Sequence, residues 1–167
     1  MINALNRFLR RGLWMVALAL LLCTPDILAQ EIGLQMGSMR ELFRQDVRTA
    51  LARIKELGVT ELEGGGARGM EKEEYKKLLD EYGLKIVAVG SNFEGLQNDI
   101  QPIIDNAKFY GAKYVICYWI PHDGDNFTFD DMKKGVEVFN AAGKTLKENG
   151  LTFAYHAHGY EFRPYEG

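Results

Sequence analysis

From residue 31 onward, strand-like and helix-like segments alternate without a break, and a glycine closes each helix. Glu31–Met36 reads as a short strand. Arg40–Leu57 carries Leu42, Phe43, Val47, Ala50, Leu51, Ile54 and Leu57 at three- and four-residue spacings, the period of an amphipathic helix, and Gly58 stops it. Val59–Glu63 is the second strand. Glu71–Tyr82 is a helix stopped by Gly83, and Leu84–Val89 is an apolar strand. Gly95–Tyr110 is a helix stopped by Gly111, and Tyr114–Ile120 is a strand ended by Pro121. Asp130 or Asp131 caps a fourth helix that reaches Glu148 and closes at Asn149-Gly150, and Leu151–His158 is the fifth strand.

Five strands alternating with four helices make an α/β chain in which the strands run parallel, because each helix carries the chain back to its starting end. The crossovers are right-handed. Two architectures satisfy this: a (β/α) barrel, and an open doubly wound sheet. No GxGxxG follows the first strand, and Gly64-Gly65-Gly66 with Gly69 matches neither nucleotide-binding spacing, so the glycines read as a flexible loop. The expected sheet order is therefore 1-2-3-4-5, curving as part of a barrel.

Residues 1–29 read differently. Arg7, Arg10 and Arg11 precede an apolar run from Leu13 to Cys23; Thr24, Pro25 and Asp26 break it, and Ala29 offers a cleavage point, the layout of a secretory signal peptide. Those eleven apolar residues span only about 16 Å as a helix, too short for a stable membrane span. An uncleaved anchor and an acylated Cys23 are the alternatives. The expectation is a periplasmic or secreted protein. Removing the segment takes three arginines and one aspartate, so 20 basic and 23 acidic residues become 17 and 22, a net charge of −5. An acidic chain without a basic block argues against nucleic acid as a partner. Cys117 is then the only cysteine, and its apolar surroundings predict a buried thiol.

In parallel α/β folds, function gathers at the carboxyl ends of the strands. Here those ends hold Gln35, Glu63, Ser91-Asn92, Trp119 and His156-Ala157-His158, with Glu161 just beyond. Alternation places His156 and His158 on one face, about 6.6 Å apart, and turns Phe153 and Tyr155 towards the helices. Two imidazoles so placed can share a divalent metal with Glu161, or can hydrogen-bond a carbonyl and a substrate hydroxyl. Glu63, nearer the strand end than Glu61, is the better site carboxylate. Gln35 is a substrate contact or an amide that ties strand ends together. Trp119 is a stacking platform for a sugar ring or part of the core. His122, in a Pro-His-Asp-Gly loop, reads as surface.

At these residues the chain resembles a known family. Ile32-Gly33-Leu34-Gln35 with Ser38-Met39-Arg40, Gly58-Val59-Thr60-Glu61-Leu62-Glu63, Leu78 to Lys85, Ala107 to Trp119, and Tyr155-His156-Ala157-His158-Gly159-Tyr160-Glu161-Phe162 are similar, in that order, to motifs of the sugar phosphate isomerase/epimerase family of xylose isomerase-like TIM barrels. The resemblance implies that residues 30–167 are the N-terminal part of a (β/α)8 barrel. It implies a small carbohydrate substrate and a divalent metal (Mn, Mg, Co or Zn) that assists proton transfer in an isomerisation, epimerisation or elimination. The residues it points to are His156, His158 and Glu161 for catalysis, His156 and Glu161 for the metal, and Gln35, Glu63 and Trp119 for substrate. The chain departs from the family pattern in three ways. Five strands are fewer than the eight of a barrel. Gly37 stands where an aromatic is common, and Gly90 where a His is common; both are expected to widen the pocket or to alter the chemistry. The remaining metal ligands are expected beyond Gly167, which makes this chain a fragment of little activity, or else a half-barrel completed by association as a homo-oligomer. A sugar-binding protein without chemistry is the alternative function.

Overall fold

The computed structural model describes residues 32–64 and 66–164. The expected signal segment, residues 1–29, lies outside them. Five strands form one parallel sheet in chain order: β1 (Gly33–Gln35), β2 (Glu61–Glu63), β3 (Lys85–Ser91), β4 (Tyr114–Cys117) and β5 (Thr152–Tyr155). This is the order expected of a barrel. A doubly wound sheet would have reversed direction after its first strand.

Six helices connect the strands where four were expected: α1 (Arg40–Gln45), α2 (Val47–Glu56), α3 (Lys72–Tyr82), α4 (Phe93–Asn98), α5 (Gln101–Tyr110) and α6 (Phe129–Glu148). Two of the expected helices are broken. Asp46 is extended, and its carboxylate accepts the Thr49 N–H at 2.6 Å, so it caps α2 instead of continuing α1. Asp99 leaves the helical region after α4, and Pro102, which has no N–H to donate, opens α5. The cap of α6 is Thr128 rather than either aspartate. Its hydroxyl accepts the Asp131 N–H while the Asp131 carboxylate accepts the Thr128 N–H, a reciprocal box. The strands also stop early. β4 ends at Cys117 and β5 at Tyr155, although His156 N–H still donates to the Cys117 carbonyl at 3.0 Å.

Strand register sorts side chains between two faces. Leu34, Leu62 and Ile86 are in register, as are Val89, Val115 and Phe153. These pack under Ala50, Leu51 and Ile54 of α2, Leu78 and Leu79 of α3, Ile104 and Ala107 of α5, and Val138, Ala142 and Leu146 of α6. Cys117 is fully buried, as expected, and burial pushes its thiol pKa up. The opposite face carries Gly33 beside Glu61, Gln35 beside Glu63, and Gly90 beside Ile116 and Ala154.

Tyr75 and Tyr110 meet edge to face at 6.4 Å inside the core, and the Tyr110 hydroxyl is buried without a hydrogen-bond partner among the described residues. An unpaired buried hydroxyl costs free energy. Tyr110→Phe is therefore expected to leave stability unchanged or raise it by up to about 1 kcal/mol. Urea unfolding checks this; a clear loss would reveal a partner for that oxygen.

Candidate functional site

The polar face of the sheet ends in a group built around Glu63. Pairing between β2 and β3 slips at this point: Leu62 is opposite Ile86, but Glu63 is opposite Ala88. Such an irregularity re-aims the side chain at the strand end. The Glu63 side chain is 26 % exposed, yet its Oε1 is buried and has no hydrogen-bond partner among the described residues. His156 Nδ1 lies 3.9 Å from that oxygen, near enough for electrostatic attraction and too far for a hydrogen bond.

Tyr118 completes this group. Cys117 pairs with Tyr155, so the next residues along, Tyr118 and His156, stand side by side, with ring centres 5.5 Å apart. Burial, then the charge and hydrogen bonding of Glu63, push the Tyr118 phenol up to about 12. At neutral pH it is an un-ionised donor, not a base. Gly90 lies beneath it: a Cβ there would stand 2.9 Å from the Tyr118 ring. Gly90 therefore does not widen the pocket, because Tyr118 fills the space it leaves. The same holds at Gly37, where a Cβ would meet the Gln35 amide at 2.7 Å. The Gln35 side chain is folded back on its own turn and accepts the Ser38 N–H at 3.2 Å. Ser91 ties two strand ends, donating to the Ile116 carbonyl at 3.1 Å.

A row of rings continues from His156. His158 stacks on it at 5.1 Å, and Tyr160 stacks on His158 at 5.8 Å. Tyr160 in turn lies 4.3 Å from His122, and His122 stacks on Trp119 at 4.2 Å. Trp119 is 47 % exposed and is not part of the core. His122 is no isolated loop residue; it belongs to this row.

Glu161 belongs to the turn after β5. Its Oε1 accepts the Tyr155 hydroxyl, and its Oε2 accepts the His158 N–H at 2.9 Å. Tyr155 is on the helix side, packed 5.1 Å from Phe139 of α6, as the alternation predicts, and its hydroxyl also meets that of Tyr160 at 2.9 Å. Burial alone would raise the Glu161 pKa; the hydrogen bonds outweigh it and hold the carboxyl below its ordinary value. Glu161 thus fastens the turn after β5. Each of its oxygens accepts one hydrogen bond. Among the described residues no group of three or more His, Cys, Asp or Glu side chains is arranged to hold a metal ion.

Sequence reasoning missed Tyr118 and His122. The register of β4 against β5 is the signal that finds Tyr118. His122 had no sequence signal, since Pro-His-Asp-Gly describes any polar turn.

A sugar phosphate isomerase/epimerase from Parabacteroides distasonis is similar in structure over 84 % of this chain and 56 % of its own, with a TM-score of 0.66 and 24 % identity. A second sugar phosphate isomerase/epimerase from the same organism matches over 81 % and 57 %, with a TM-score of 0.60 and 27 % identity. This is the fold of a xylose isomerase-like barrel. A xylose isomerase domain containing protein from Salmonella typhimurium shares the barrel fold at 11 % identity, over 75 % of this chain and 48 % of its own, with a TM-score of 0.54. The chain spans between half and three-fifths of the first two barrels. The sequence matches no family model and no curated protein. Among the described residues of this barrel segment, no helix is long and apolar enough to cross a membrane.

Proposed function

We propose that this protein is an exported enzyme that moves a proton between adjacent carbons of a small carbohydrate, in an isomerisation, epimerisation or elimination. One observation carries the reading: the Glu63 carboxylate presents a buried, unpartnered oxygen beside His156 at the strand ends of a sugar isomerase-like barrel. An oxygen without a partner is free to accept a proton. His156 beside it orients a second substrate oxygen, and the un-ionised Tyr118 phenol, hydrogen-bonded to Glu63, holds the carboxylate in place.

Glu63 and His156 also fit a divalent metal as two of its donors. A metal bound there supplies Lewis-acid polarisation of the sugar carbonyl. The reading assigns its remaining donors to strand ends that follow β5 in a complete barrel. Either use makes Glu63 the group on which turnover depends.

The test is deuterium incorporation. Aldoses and ketoses are incubated in D2O with a protein that carries this segment within a complete barrel, and NMR follows exchange at the carbon next to the carbonyl. Exchange that depends on Glu63 supports the enzyme. Sugar binding without any exchange would favour the binding-protein alternative, for which the exposed Trp119 speaks.

Export is tested separately. Mass spectrometry of the soluble product is expected to find a terminus close to Gln30, with the basic and apolar start removed. An intact Met1 terminus in the soluble fraction would defeat this part of the proposal.

A further inference from the structure

We infer that Gly90 is a positioning residue: the side chain it lacks is what lets Tyr118 lie across β3 and reach Glu63. This deepens the reading of Glu63 above and rests on it. Glu63 closes β2, Tyr118 follows the end of β4, and β3 runs between those two strands. Neighbouring strands lie about 4.8 Å apart, so two such steps separate the backbones of Glu63 and Tyr118. The phenol bridges them by crossing β3, and Gly90 is the residue that it crosses. Gly90 pairs with Ile116 of β4, and Tyr118 stands two residues beyond Ile116 on the same face.

A Cβ on Gly90 would stand 2.9 Å from Cε2 of Tyr118, 3.4 Å from its hydroxyl oxygen and 3.6 Å from Cζ. The three atoms nearest to that Cβ all belong to Tyr118, and they form the hydroxyl end of the ring. That is the end hydrogen-bonded to the Glu63 carboxylate. Gly90 is not among the glycines with positive φ, so its backbone accepts an L side chain without strain. A glycine inside a strand is otherwise a weakness, with no side chain to pack and more backbone freedom to lose. Alanine at this position therefore displaces the phenol and not the strand. Glu63 loses its donor while the fold is kept.

The test has two arms. In the full chain, NMR is expected to show cross-peaks between the Tyr118 ring and the side chain of Glu63, and Gly90→Ala is expected to abolish them with Tm unchanged or higher. In a protein that carries this segment within a complete barrel, turnover is measured for Gly90→Ala, for Tyr118→Phe and for the double variant, with Glu63→Gln alongside. Each single change is expected to lower kcat about tenfold, the order of one hydrogen bond to a charged group, and to leave KM within about twofold. The double variant is expected to stay at about tenfold, because both changes remove the same contact. Losses that multiply to about a hundredfold would mean that the two residues act separately, and would overturn the inference. So would a Gly90→Ala chain that keeps the Tyr118–Glu63 cross-peaks, or one that loses them with kcat intact; in either case a large loss in Glu63→Gln leaves the reading of Glu63 standing. A lower Tm in Gly90→Ala assigns Gly90 a structural role and also overturns the inference. If Glu63→Gln turns over like the parent, the reading of Glu63 fails and takes the inference with it.

Discussion

Replacing Glu63 by glutamine is expected to lower turnover by at least about a hundredfold in a protein that carries this segment within a complete barrel, the range for loss of a positioned proton-transfer group. Glutamine keeps the shape of the side chain and removes its charge and basicity. His156→Ala is expected to cost a similar factor, since His156 Nδ1 is the group 3.9 Å from the Glu63 oxygen. Neither change should move stability by more than about 1–2 kcal/mol, because both side chains are partly exposed and the two are not hydrogen-bonded to each other. Glu161→Gln should cost much less, because the amide oxygen can still accept the His158 N–H that Glu161 holds at 2.9 Å. Steady-state kinetics with a denaturation curve for each variant checks all three. Turnover of Glu63→Gln within tenfold of the parent would remove Glu63 from the chemistry.

One residue earlier the balance reverses. Leu62 is fully buried in the middle of β2, on the helix side of the sheet. Leu62→Ala is expected to destabilise the domain by about 2–5 kcal/mol, combining lost transfer energy with the cavity left behind. Domains of this kind have only about 5–15 kcal/mol in total, so the variant sits close to unfolding. Turnover per folded molecule should stay near that of the parent. Urea unfolding followed by circular dichroism gives the first quantity, and activity normalised to the folded fraction gives the second. A loss below about 1 kcal/mol would mean that the core closes over the gap. Adjacent residues thus carry separate duties because alternation sends them to opposite faces.

Much of the fold was legible because its signals are local. Gly83 and Gly111 end helices wherever they stand, and the strand order follows from alternation alone. The breaks at Asp46 and Asp99 were not legible, since an aspartate on a helix surface and one that starts a new helix look alike until the chain direction is known. At the site, Glu63 and His156 stand at strand ends, where residue type and position agree. Tyr118 was hidden because β4 stops at Cys117, three residues before the end that Pro121 suggests, so that Tyr118 and not Trp119 follows the strand end on the site face. The hydrogen bond from Tyr155 to Glu161 was not legible either. Alternation along β5 says nothing of the turn Tyr160–Phe162, which brings the Glu161 carboxylate to the hydroxyl of Tyr155.

The sheet order also bears on how the chain folds. Each strand pairs with the one made just before it: Gly33 with Glu61, Glu61 with Lys85, Ala88 with Tyr114, and Tyr114 with Thr152. No loop has to close over the whole length of the chain before a strand finds its partner, so the entropy of each closure stays that of a single strand-to-strand step. Assembly can proceed by accretion from the amino-terminal end during synthesis. Every newly added strand covers the hydrogen-bonding edge left by the last, so the open edges are the newest one and the outer edge of β1.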